Sequence, residues 1–442
     1  MIKKILSCCF LLLLVISCKK ENENIGSTEI MKWQDGKKGA ISLTYDDGSI
    51  NQFRVALPLM DKRGFPATFY INTGSIPGSE FQAKFFGRPV EEIINETATV
   101  PTNKDNLFER ASAVGYLGYR GLMDFHTRAG SAIDSEHPDI EKACQIIDEA
   151  YALVRAGKVE KREVNRSYSG RDRITWDEIK TIAVNGHEFG AHTISHPRLA
   201  ILDEVNLLWE LEKCKEDIEN QLGPEHTFSA ECPYGTENER VMEYAYEIFP
   251  VLRNRMPEDY LEELNRGNRG DPTASNKEYV QWQRGPLTNI SIDKMKSWVD
   301  VCAENGNIWL VLVFHGVDGV GWEARTGEEL DTYFQYMKDK EDDLWVATFK
   351  DVAKYIRERM NAEIGSSRER NAIKVKLKHS LDPDLYDLEL TLKTTIPEKW
   401  ESVEVKQGDN LLEYEIGNDQ SGRFMMYQAL ANSDEIVITR SK

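Results

Sequence analysis

From Gly39 onward, strand-like and helix-like segments alternate, and this alternation narrows the possible folds more than any other property of the chain. Apolar, β-branched runs of strand length occur as "GAISLTY" (39–45), "PATFYIN" (66–72), "HEFGAH" (187–192), "HTFSAECP" (226–233), "EYVQWQRGPL" (278–287), "IWLVLVFH" (308–315) and "LWVATF" (344–349). Between them lie segments of helical spacing: one after Asp47-Gly48 with Ser49 as cap and Gly64 as stop, one from Thr175, one over 203–221, one after Ser291, and "KDVAKYIRERM". A strand followed by a helix and another strand predicts a parallel sheet covered by crossover helices. The expected fold is therefore α/β: an incomplete, seven-stranded (β/α) barrel over 39–365.

Two segments break the pattern. Residues from about 75 to 172 are too many for a connecting loop and contain the helical stretch "DIEKACQIIDEAYALVRAG". This large, mostly helical insertion is expected to cover the site. From 368 the text changes to period-two alternation, as in "AIKVKLKHSL", "YDLELTL" and "EIVITR", which predicts a small C-terminal antiparallel β domain over 368–442.

A formal charge of -19 argues against nucleic acid and anionic membrane surfaces as partners, and against strongly anionic polymers unless a local basic patch exists. The N-terminus, "MIKKILSCCFLLLLVISCKK", has a basic start and an apolar stretch too short for a comfortable membrane span. Its Leu14-Val15-Ile16-Ser17-Cys18 resembles a bacterial lipobox, with an ordinary secretory signal as the alternative. The resemblance implies a signal peptide over 1–17, a lipid on Cys18 as the sole membrane link, a polar tether over 18–38, and a cell-envelope location, in the outer membrane and surface-exposed. Cys144, Cys214, Cys232 and Cys302 show no CxxC spacing, so a structural zinc cluster is not expected.

Two stretches carry chemistry. "TYDDG" places Asp46 and Asp47 at the end of an apolar strand, where α/β folds build their sites, although Asp-Asp-Gly alone is ordinary turn chemistry. "HEFGAHTISHP" holds three of the chain's eight histidines within ten residues, and His192 and His196, four apart, can reach one metal ion. It is not the HExxH of zinc peptidases, because His187-Glu188 has no histidine four residues on.

Together the two stretches resemble the polysaccharide deacetylases, carbohydrate esterase family 4. "TYDDG" matches the motif that supplies that family's general base and metal-binding carboxylate, and "HTISHP" the motif that supplies two metal-binding histidines. The resemblance extends over 39–75 and 172–360. It implies Asp46 as base, a single divalent ion, zinc first, on Asp47, His192 and His196, and His315, in "LVLVFHG", as general acid. It also implies that the Tyr234 backbone N–H helps stabilise an oxyanion. An arginine usually orients the base; here Glu231 stands at its place before Pro233-Tyr234, and Arg284 resembles the arginine that other branches carry on a later strand. The implied substrate is an acetylated polysaccharide or oligosaccharide, with acetyl on nitrogen or oxygen. His126, Phe85, Phe86, Tyr116 and Tyr119 in the insertion are candidates for reaching it. Two rival readings stand beside this one: the two-histidine, one-carboxylate triad of non-haem iron oxygenases, and a non-catalytic glycan-binding surface lipoprotein with a degenerate deacetylase site.

Overall fold

The computed structural model describes residues 24–135, 137–161 and 173–441, so the signal segment 1–17 and Cys18 lie outside the described residues. The chain falls into two units. Of the described residues, the larger comprises those within Met31–Ala362 and His379–Thr391; the smaller comprises 24–30, Glu363–Lys378 and 392–441. The first strand, β1 (Thr28–Ile30), belongs to the smaller unit.

The larger unit is built on one parallel sheet: β2 (Gly39–Asp46), β3 (Ala67–Ile71), β4 (Glu188–Ala191), β5 (Ser229–Ala230), β6 (Val251–Leu252), β7 (Leu261–Leu264), β8 (Tyr279–Arg284), β9 (Ile308–Phe314) and β10 (Leu344–Val346). Their hydrogen-bonded order is β6-β5-β4-β3-β2-β9-β8-β7. On one edge β2 pairs with β10 through Gly39–Ile41 and with β3 through Leu43–Asp46. No ladder joins β6 to β7 among the described residues, so the (β/α) barrel is incomplete, as the alternation predicts. The sheet adds β6 and β7 to the seven strand-like runs. Both are short, and "VL" and "LEEL" are too brief or too acidic to announce themselves by pattern.

The covering helices start where polar caps stand. Trp176–Val184 opens with a reciprocal capping box, in which Glu178 N donates to Thr175 Oγ1 and Thr175 N donates to Glu178 Oε2. Asp203 and Ser291 cap Glu204–Leu222 and Ile292–Glu304. The helix after the Asp-Asp turn differs from expectation. Residues Gln52–Ala56 wind as a π turn before Leu57–Asp61, and the Ser49 hydroxyl accepts from Gln52 Nε2 (3.2 Å) rather than from a backbone N–H. Gly64, at φ +68°, follows the end of this helix.

Strand parity sorts every side chain. Ile41, Leu43 and Tyr45 of β2 join Leu310, Leu312 and Phe314 of β9 in the core beneath the helices. Ala40, Trp309, Val311 and Val313 line the opposite, inward face. The inward series on β2 continues Ser42, Thr44, Asp46, all buried. Because Tyr45 pairs with Phe314, the next residues, Asp46 and His315, leave the sheet side by side.

The insertion folds as helices Val90–Glu96, Leu107–Tyr116, Leu122–Ile133 and Ile140–Arg155 around a core including Leu107, Val114, Leu122 and Ile147. In the smaller unit, β11 (Glu363–Arg368), β12 (Ala372–Lys378), β14 (Val403–Gln407), β15 (Asn410–Leu411) and β18 (Ile436–Arg440) form one sheet. A further sheet has the order β1-β13-β17-β16, with β13 (Glu389–Thr395), β16 (Tyr414–Asp419) and β17 (Gly422–Leu430). Alternation is visible in β12, where Ile373, Val375 and Leu377 are buried between outward lysines. The tether expected over 18–38 is folded structure from Thr28: β1 pairs with Leu392–Thr394, and Trp33 is buried with its indole N–H on Gly306 O (2.9 Å).

Gly190, on the inward face of β4, is closely packed. A Cβ there would lie 2.6 Å from Tyr70 Cε1, and the Tyr70 ring sits 5.0 Å from the Arg253 guanidinium. Gly190→Ala is expected to lower stability by about 1–3 kcal/mol through overpacking, read as a lower denaturant midpoint with unchanged slope.

Candidate metal and catalytic site

Two adjacent carboxylates diverge because the chain changes hand between them. Asp46 ends β2 in extended geometry and is only 1% exposed, whereas Asp47 adopts φ +74° and points elsewhere. Thr193, His196 and Tyr234 also take left-handed φ of 61–66°. Such conformations are disfavoured for residues with a side chain, and four of them converge here.

Asp47 faces the two histidines. Its Oδ1 lies 3.6 Å from His192 Nε2 and 3.2 Å from His196 Nε2, and the three donor atoms fall within 4.8 Å of one another. His192 Nδ1 lies 2.8 Å from Glu231 O. A carbonyl only accepts, so Nδ1 carries the proton and the Nε2 lone pair faces Asp47. Burial depresses the His192 pKa, but hydrogen bonding to Asp47 and the charges of Asp46 and Asp47 outweigh it and raise it. Burial likewise works against the Asp47 carboxylate, yet the two imidazoles hold it well below the usual carboxylate range. Two imidazoles and one carboxylate, converging at the wall of a cavity, suit a single divalent ion with coordination positions left open.

The loop bearing the histidines is fixed from behind. Asn72 Nδ2 donates to His192 O (2.5 Å), and Glu210 accepts from Ile194 N and Ser195 N (both 2.9 Å), Ser195 Oγ and Tyr116 Oη (both 2.6 Å). His187 is not part of the cluster. It accepts from Ala67 N through Nδ1 (3.1 Å) and meets Asp61 through Nε2 (2.9 Å).

Asp46 points into the barrel, onto Arg253. The guanidinium donates from Nη1 to Asp46 Oδ1 (2.5 Å) and from Nη2 to Oδ2 (2.8 Å); it also meets Glu231 Oε1 (2.8 Å) and Thr44 Oγ1 (3.0 Å). Burial alone would raise the Asp46 pKa, but Arg253, His315 and His192 hold it far below the usual range. His315 Nε2 lies 3.4 Å from Asp46 Oδ2, and burial pushes this imidazole down to about 4. Gln52 Nε2 donates to both Asp46 O (2.5 Å) and His315 O (2.7 Å), clamping the two strand ends together.

Arg284 does not orient Asp46. Strand parity places it with Val280 and Trp282 on the outward face of β8, where its guanidinium stacks 4.6 Å from the Trp282 ring and donates to Asn268 O and Gln283 O. The orienting contact belongs to Arg253, which follows the two-residue strand β6. Parity carries the signal in hindsight: Val251 and Arg253 face inward while Leu252 faces out. Glu231, where arginine was expected, is the second carboxylate on the same guanidinium.

These groups open into a cavity of about 530 Å³. Tyr234 and Trp322, 42% and 54% exposed, line it. The Tyr234 ring stands 4.7 Å from His196, and Trp322 stands 4.7 Å from His315. Among the described residues, none of those lining the cavity comes from the insertion. His126 is buried there: Nδ1–H donates to Ala111 O (3.0 Å), Nε2 accepts from Arg198 N (3.2 Å), and burial pushes its pKa to about 4. Phe85, Phe86, Tyr116 and Tyr119 also lie off the cavity; Phe86, for example, packs 4.4 Å from Trp209.

Removing the Arg253 guanidinium leaves two carboxylates buried without their cation. Arg253→Ala is expected to destabilise the protein by about 3–5 kcal/mol, with part of the loss recovered by adding Glu231→Gln. Chemical denaturation of both variants and wild type checks this.

Residues 34–100 and 147–248 match the family "Polysaccharide deacetylase". A curated relative, a gellan lyase of a Bacillus species, is 23% identical over 283 residues, 59% of this chain. This chain spans only 11% of that relative's length. Among solved structures, similarity is found to the Xyl-CE4 domain of a multidomain xylanase from the hindgut metagenome of Trinervitermes trinervoides. There the identity is 12%, the TM-score 0.33, and the coverage 72% of this chain and 90% of that one. A family 4 carbohydrate esterase from Bacillus anthracis gives 13% identity, TM-score 0.32, and coverage of 72% and 83%. The family match thus covers the two stretches that bring the acid pair and the paired histidines together, and over those stretches the chain is similar to polysaccharide deacetylases.

Proposed function

We propose that this chain is a metal-dependent hydrolase that removes acetyl groups, on nitrogen or oxygen, from an acetylated polysaccharide or oligosaccharide. The observation that carries the reading is the division of labour at "TYDDG": Asp47 faces two histidines while Asp46 faces Arg253 and His315, and both open into one cavity. Asp47, His192 and His196 would hold the ion, zinc by the character of the donors, which when bound acidifies water and polarises a carbonyl.

The chain's own residues do the rest. Asp46, kept ionised and oriented by the Arg253 fork, takes the proton of the attacking water. At 3.4 Å, Asp46 and His315 are close enough to share that proton, and His315 delivers it to the departing amine or alcohol. The Tyr234 backbone N–H is assigned to the developing oxyanion, a role supported by its place in the cavity wall. Trp322 and Tyr234 offer exposed aromatic faces for sugar rings. The degenerate-site reading rests on Glu231 and the C-terminal β domain, and the Arg253–Asp46 contact weighs against the first of these; the iron-oxygenase reading leaves Asp46 and His315 without a task. The Leu14–Cys18 lipobox supports anchoring at the cell envelope through Cys18, so Cys18→Ser should move the protein out of the detergent phase.

Asp47→Asn is expected to lose metal and activity together, whereas Asp46→Asn should keep the metal and lose most turnover. Metal content and acetate release on both variants decide this, and the reverse pattern would exchange the two roles. His315→Ala should cost about 10²–10⁴-fold on a poor leaving group and much less on an activated aryl acetate. Equal losses on both would remove His315 as the acid.

A further inference from the structure

Beyond β7, the loop "NRGNRGD" puts two arginines within four residues, and Arg284 of β8 reaches it through Nη1 to Asn268 O (3.2 Å). Among the described residues, Arg266, Arg269 and Arg284 make no ion pair within 4 Å, although acidic side chains outnumber basic ones, 74 to 55, and Arg266 acts on Glu231 only at longer range. The nearest acid in sequence, Asp271, is turned onto its own helix cap, where it accepts from Thr273 N (2.9 Å) and Thr273 Oγ1 (2.8 Å). Arg266 lines the same cavity as Asp47 and His315, Arg269 is exposed, and Arg284 is half-buried. The other arginine at the wall, Arg198, is already paired with Asp134 (2.8 Å).

Arg266, a cation in the cavity wall without an ion-pair partner, with Arg269 on the same loop and Arg284 hydrogen-bonded to that loop, offers positive charge that selects ligands of opposite sign. Arginine's planar fork is matched to carboxylates. We propose that the preferred substrate is an acidic glycan, in which the carboxylate of a uronic acid near the acetylated sugar binds Arg266, with Arg269 and Arg284 attracting carboxylates further along the chain. This rests on the deacetylase reading, since it names the glycan class for the same cavity.

The test uses oligosaccharides from a glucuronate-containing polysaccharide and the same oligosaccharides with their carboxyls reduced to alcohols, titrated calorimetrically into the full-length protein. The acidic set should bind roughly 10- to 100-fold more tightly at low salt, the range expected of charge-assisted hydrogen bonds, and the difference should shrink as salt screens it. Arg266→Gln combined with Arg269→Gln and Arg284→Gln should abolish the difference. Arg269→Glu alone, on an exposed loop residue, should reduce it several-fold without relying on the triple variant to fold. Equal binding of both sets, or a difference that survives these substitutions, would overturn the proposal. Hydrolysis of an aryl acetate, which has no carboxylate, reports separately on the reaction centre: its absence would count against the deacetylase reading, while the binding difference still decides the acidic-glycan proposal.

Discussion

A carboxylate buried as deeply as Asp46 would hold its proton unless a fixed cation stood against it, and the Arg253 guanidinium is that cation. The arrangement around it follows. Because Arg253 binds both Asp46 oxygens, this side chain is committed inside the barrel and stays off the ligand cluster, leaving Asp47 alone to meet the histidines. Because the same guanidinium also meets Glu231, it fixes the segment whose carbonyl sets the His192 tautomer. One buried ion network thus links the Asp46–His315 side of the site to the Asp47–His192–His196 side.

Much of this was legible in the sequence, and the parts that were not share a physical reason. "TYDDG" stood out as an acid pair at a strand end and "HTISHP" as histidines four apart, and their resemblance to a family's motifs implied roles for Asp46, Asp47, His192, His196 and His315 before any contact was known. Arg253 could not be found, because it follows a strand of two residues, and two residues have no period. Arg284 drew attention because it resembles the arginine that other branches of the family carry on a later strand, but parity turns it to the outer face. Gln52 and Glu210 were invisible for another reason. They act on backbone groups distant in sequence, and a glutamine or glutamate in a helix carries no mark of such a partner.

Among the described residues, the insertion contributes to the site from outside the cavity. Tyr116 completes the set of donors around Glu210, His126 accepts from the backbone of Arg198, and Asp134 pairs with the Arg198 guanidinium. Its helices therefore brace the loop after His196, while the aromatic faces and the free arginine at the cavity come from the barrel's own loops.

The central claim is that Asp47, His192 and His196 hold an ion without which the remaining machinery does not release acetate. The most direct measurement is acetate release from acetylated oligosaccharides by protein stripped with a chelator and then titrated with a divalent ion, with bound metal quantified at each step. The account predicts negligible release from the stripped protein and full recovery at one equivalent of bound ion per chain. Undiminished release after complete stripping, or recovery that requires two ions per chain, would contradict it.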